Sequence, residues 1–107
     1  MYKSGNVLIY LYTYTGVLTI KDLCKVQRAT WEARVKWYNI GLELEIDTGT
    51  LDTIKGNNDD IDDRFRAMLV TWLKMVQPKP TLAALAEALQ SPTVGFEHLA
   101  EQVQALK

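Results

Sequence analysis

A chain of 107 residues, 48% hydrophobic and 23% charged, has the size and composition of one globular domain. Twelve basic against thirteen acidic residues give a formal charge of -1, so the overall field offers phosphate backbones no attraction and nucleic acid is not expected as a partner. One cysteine excludes an internal disulfide and a cysteine zinc cluster and fits a reducing, cytoplasmic setting, and no apolar run approaches the roughly 20 residues of a membrane span.

In residues 7–14, Val7, Ile9 and Leu11 alternate with Leu8, Tyr10, Tyr12 and Tyr14, the period of a strand, without the basic leader or cleavage site of a signal peptide. A strand alone is unstable. Three explanations stand: the last strand of an upstream domain, pairing with its copy in a dimer, or an extended arm packed over a helical stripe further on. Residues 1–16 are therefore read as an arm or the end of an upstream domain, and residues 17–107 as the main domain, with Gly16 between them.

Thr19 followed by Asp22 resembles a capping box opening a short helix that carries Ile20, Leu23 and Cys24. Residues 37–46, WYNIGLELEI, read as a strand from their alternating end and as a helix from Trp37, Ile40, Gly41 and Leu44. A strand here would stand among helices without a partner, so the spacing predicts a helix. It buries Ala33, Trp37, Ile40, Gly41 and Leu44, with Gly41 admitting a close neighbour and Ile46 packing just after the end. Trp31, Val35, Tyr38 and Leu42 form a second apolar stripe on the opposite side, which makes Tyr38 and Leu42 candidate interface anchors unless the arm covers them. Leu51 and Ile54 predict a small helical turn before Gly56.

Residues 59–77 carry the longest stripe, from Ile61 through Phe65, Met68, Leu69, Trp72 and Leu73 to Val76. Asn58 is the expected N-cap, aspartates fill the first turn, and Pro78 and Pro80 mark the end. Thr81 then caps a helix through Leu82, Leu85, Ala86 and Leu89. Ser91 with Pro92 signals a last helix bearing Phe96, Leu99, Ala100, Val103 and Leu106. Six helices result.

No catalytic constellation is legible. Cys24 is expected as a packed thiol and His98, the one histidine, as a surface imidazole, so nothing supplies a nucleophile, base and orienting group. NNDDIDD, residues 57–63, lacks the spacing and terminal glutamate of a calcium loop, and the glycines near the start make no phosphate cradle. No metal and no cofactor are expected. Charge, however, is polarised: residues 21–36 hold five basic and two acidic side chains, residues 43–63 eight acidic and one basic.

The series Trp37, Ile40, Gly41, Leu44 and Ile46, then Leu51 and Ile54, then Met68, Leu69, Trp72 and Leu73, then PTLAALAEAL at residues 80–89, then Val94, Gly95, Leu99 and Ala100 resembles the pattern of the death domain, across about residues 18–106. Death-effector and caspase-recruitment modules share the bundle, but the two tryptophan contexts and PTLAALAEAL favour the death domain proper. Glu45 departs from the pattern where a small residue is common, which bears on where the second helix ends.

The resemblance implies an all-α, six-helix antiparallel bundle with Greek-key topology, no catalytic site, and an adaptor role in apoptotic or innate-immune signalling through binding to death domains of the same or other proteins. Death domains assemble through several asymmetric surfaces. With the charge polarity, this implies that Lys21, Lys25 and Arg28 meet the surface of Glu45, Asp47, Asp52 and Asp62 on a neighbour, in asymmetric or helical assemblies. The rival reading is a structural helical end of a larger receptor or scaffold without a homotypic partner.

Overall fold

The computed structural model describes residues 17–106; the tyrosine-rich segment of residues 7–14 lies outside them. Six α-helices follow in order: α1 Leu23–Ala29, α2 Trp37–Glu43, α3 Thr48–Asn57, α4 Ile61–Leu73, α5 Leu82–Gln90 and α6 Glu97–Gln104. Short 3-10 helices, Ile20–Asp22 and Trp31–Lys36, lead directly into α1 and α2. Among the described residues the β pairing consists of one bridge between Val17 and Thr81, and the Leu18 N–H donates to the Pro80 carbonyl at 2.8 Å. Thr81 also caps α5, its hydroxyl accepting from the Ala84 N–H.

The capping box at Thr19 and Asp22 is present, but the chain winds as 3-10 through it before turning α-helical at Leu23. That change of pitch puts Leu23 and Val26 in the core and leaves Ile20 and Cys24 exposed, contrary to the expected stripe and the packed thiol. The same effect splits the second stripe. Residues 31–36 advance by a third of a turn each, so Trp31 and Tyr38 are half-buried against the core while Val35 and Leu42 face water.

Residues 37–46 are helical as expected, and a Cβ at Gly41 would stand 2.6 Å from Leu51 Cδ2, which is how α3 comes so near α2. The end of α2 explains the departure at Glu45. The Ile46 N–H donates to Gly41 O and the Glu45 N–H to Leu42 O, each at 3.0 Å, a Schellman ending with Ile46 buried beyond it. The motif needs a left-handed residue, and Glu45 supplies it at φ +69. A Cβ in that region costs about 1–2 kcal/mol, part of which glycine returns as chain entropy on folding. Glu45→Gly is expected to stabilise the domain by about 1 kcal/mol, roughly 4–8 °C in Tm. An unchanged or lower Tm in calorimetry would contradict that account of the turn.

Several helix boundaries differ from expectation. Asn58 closes α3, its Nδ2 donating to Ile54 O at 2.9 Å, while Asp60 opens α4 by accepting from the Asp63 N–H. Helix α4 therefore spans residues 61–73 rather than 59–77, and the stripe's two ends, Ile61 and Val76, are exposed. The small turn at Leu51 and Ile54 is ten residues long and includes Gly56, because Asp47 caps it from Thr48 onward. Ser91 ends α5 instead of opening α6. A turn over residues 91–95 buries Val94 and uses Gly95 at φ +78 before α6 starts at Glu97.

Helix α4 lies at the centre, packed on α1, α2, α3 and the Trp31–Lys36 segment. Helices α5 and α6 form the closest pair and dock through α5 on α2 and through α6 on α1. These non-sequential neighbours make the antiparallel Greek-key bundle. Its core holds Phe65, Met68, Leu69 and Trp72 of α4 against Val26, Ile40, Leu51, Leu85, Leu89 and Val103, all at most 1% exposed.

Candidate functional site

The packing distributes the charged segments over different elements. Lys21 is exposed on the first 3-10 helix and Arg28 on the last turn of α1, the helix that turns Leu23 and Val26 inward. Lys25, between them, has its Nζ 3.5 Å from Asp22 Oδ1. Beside them Arg28, Cys24, Gln27 and Trp31 line a shallow groove.

The acidic residues come from three places: Glu45 and Asp47 from the corner between α2 and α3, Asp52 from α3, and Asp62 from the first turn of α4. Between α2, α3 and α4 lies a second groove, lined by Trp37, Tyr38, Asp52, Lys55, Ile61 and Arg64. Arg64 borders it in a fixed pose, Nε donating to Asn58 O at 2.7 Å. Tyr38 and Leu42, the expected anchors, part company. Leu42 is exposed, whereas Tyr38 is half-buried and its hydroxyl donates to Asp52 Oδ1 at 2.8 Å, tying α2 to α3.

Three of the four nominated acids have work inside the molecule. Asp47 accepts from the Thr50 N–H at 3.0 Å and from the Thr50 hydroxyl at 2.8 Å; Asp52 accepts from Tyr38; Asp62 Oδ1 accepts from Arg34 Nε at 2.9 Å. The Thr50 hydroxyl, then its N–H, hold the Asp47 carboxyl below its ordinary value of 3.8. The bond to Asp52 is the first cause raising the Tyr38 hydroxyl above its ordinary 10.0, followed by partial burial and the Asp52 charge, so Tyr38 remains a neutral donor at physiological pH.

A lowered carboxyl binds fewer protons folded than unfolded, so its stabilising contribution is present above the unfolded value and is lost as pH falls through the folded one. Asp47→Asn, which still caps, is expected to flatten the part of the acid destabilisation below about pH 4 that this carboxylate causes, and Asp47→Ala to lower Tm at every pH. Thermal melts from pH 2.5 to 7 check both. An Asn variant with the full wild-type acid slope would sink the assignment.

Among the described residues no group of three or more His, Cys, Asp or Glu side chains could hold a metal. Cys24 is exposed, and His98, also exposed, meets Glu32 Oε1 at 3.1 Å and tilts against Phe96. The residue that sequence reading passed over is Arg34. Its spacing from Trp31 was visible, but its partner lies 28 residues away and no local pattern points to it.

In comparisons with known proteins, the family model described as the death domain matches residues 21–106. No curated protein and no solved structure matches.

Proposed function

The chain belongs to the death domain family, protein–protein interaction modules of signal transduction, and from that premise we propose that it works as a cytoplasmic adaptor module assembling homotypically with other death domains, in signalling of the apoptotic or innate-immune type. Residues 17–107 act as the module, with residues 1–16 as an arm or the end of an upstream domain. The observation that supports the reading is the separation of charge among elements: Lys21, Lys25 and Arg28 lie on α1 and the turn before it, while Glu45 and Asp47 lie at the α2–α3 corner, Asp52 on α3 and Asp62 in the first turn of α4. Opposite charges on different faces of one molecule favour head-to-tail contacts, which continue into open or helical assemblies when the rotation does not close. Tyr38 and Leu42 border the acidic side and add apolar area to the contact.

One observation favours the rival reading of an inert helical end. Asp47, Asp52 and Asp62 already have partners within the chain, so each has a purely structural use. Molar mass by light scattering after size exclusion, across protein concentration and at low and high salt, separates the two. Growth that high salt reverses supports charge-driven assembly, because exposed charges are screened beyond a Debye length of about 8–10 Å near physiological salt. A monomer under every condition overturns the homotypic reading.

A further inference from the structure

Arg34 meets an acid of the proposed surface from inside the same molecule. Its Nε lies 2.9 Å from Asp62 Oδ1, its Nη1 donates to the Trp31 carbonyl at 2.9 Å, and its guanidinium stands 4.5 Å from the centre of the Trp31 ring. Trp31 in turn packs edge-on against the buried Phe65, ring centres 6.1 Å apart. Three contacts therefore hold the cation's head in place before any partner arrives, and a preorganised guanidinium loses little entropy on binding a carboxylate.

The setting differs from that of the neighbouring acids. Asp47 and Asp52 accept from the neutral hydroxyls of Thr50 and Tyr38, which leave their negative charge in place, whereas Arg34 cancels that of Asp62. The pair is nonetheless at the surface: the Asp62 side chain is 56% exposed and that of Arg34 33%. A cation from outside can reach Asp62, and it must compete with one already seated.

We propose that Arg34 is an autoinhibitory mask: it neutralises Asp62 in the isolated domain, and a second copy docking its basic α1 face must displace or share that contact, which sets the threshold for homotypic assembly. The inference rests on the homotypic reading above. Arg34→Gln keeps much of the stem over Trp31 and removes the charge; Lys36→Ala removes one charge from an exposed position of the same 3-10 helix. Loss of a cation from a chain of net charge -1 strengthens general repulsion between copies, so nonspecific electrostatics predicts weaker association for both variants. The mask predicts the opposite for Arg34→Gln alone, about two- to fivefold tighter association, the scale of an exposed ion pair.

The experiment is the dissociation constant by sedimentation equilibrium at low salt for wild type, Arg34→Gln, Lys36→Ala, Asp62→Asn and the Arg34→Gln/Asp62→Asn double variant, each first shown by circular dichroism to be folded. Tightening by Arg34→Gln that disappears in the Asp62→Asn background supports the mask, as does a monomeric wild type beside an associating Arg34→Gln variant. A wild type that associates with Arg34→Gln no tighter than Lys36→Ala overturns the mask and leaves the homotypic reading standing. Monomers throughout overturn both.

Discussion

Trp72→Ala is expected to cost the domain about 3–5 kcal/mol, the usual loss when a buried tryptophan is truncated and its cavity only partly collapses. Trp72 is 1% exposed on α4, the helix against which α1, α2, α3 and the Trp31–Lys36 segment pack, so the void opens at the centre of the bundle. A domain of this size has on the order of 5–13 kcal/mol of stability in all, and the loss removes a large share of it. Tm should fall by roughly 15 °C or more. Phe65→Ala, at a site with no exposure on the same helix, should behave alike and also release Trp31, whose edge it supports. Val76→Ala, on a residue 74% exposed beyond the end of α4, should leave Tm within about 2 °C, although the same stripe in the sequence contains both positions. Calorimetry on the three variants decides the matter: a small loss at Trp72, or a large one at Val76, would place the core elsewhere.

Reversing Lys25 and Arg28 to glutamate should abolish self-association while leaving the monomer folded. On α1, whose Leu23 and Val26 are buried, Arg28 is exposed and Lys25 half-buried. The Lys25–Asp22 contact is a partly exposed pair one helical turn long, and surface pairs of that kind are worth about 0.2–1 kcal/mol, so loss of that contact by itself leaves the fold in place. Across an interface with acidic residues the effect is far larger, because two attractions become two repulsions; like charges juxtaposed cost several kcal/mol, on the order of 100-fold or more in the dissociation constant. Light scattering beside a melting curve reads both halves of the prediction. Association unchanged in a folded double variant removes the α1 face from the interface; association lost together with the fold reports nothing but instability, and then Arg28→Glu alone, which spares the Asp22 contact, is the variant to measure.

How much of this was legible beforehand differs from residue to residue. The stripes of α4 and α5, the close approach at Gly41, the cap at Thr81 and the box at Thr19 and Asp22 are local: apolar spacing and side-chain reach act within a few residues, and the folded chain keeps them. The competing caps were local too, but underdetermined. Asn58, Asp59 and Asp60 are all able to cap a helix, and the choice of Asp60 followed from where α3 ended and how α4 had to dock. Cys24 left its predicted face, and Trp31 and Tyr38 parted from Val35 and Leu42, because two stretches wind as 3-10, about 20° per residue that accumulates until a stripe is broken.

The sequence by itself determined the helices, their order, most of the core and the polarity of charge, because each depends on periodicity or composition within one segment. Only the tertiary structure decided which charges meet. Whether Asp52 faces a tyrosine and Asp62 an arginine depends on how elements 14 and 28 residues apart in the chain are laid side by side, and a carboxylate's partner is set by distance in space, which no spacing along the chain encodes.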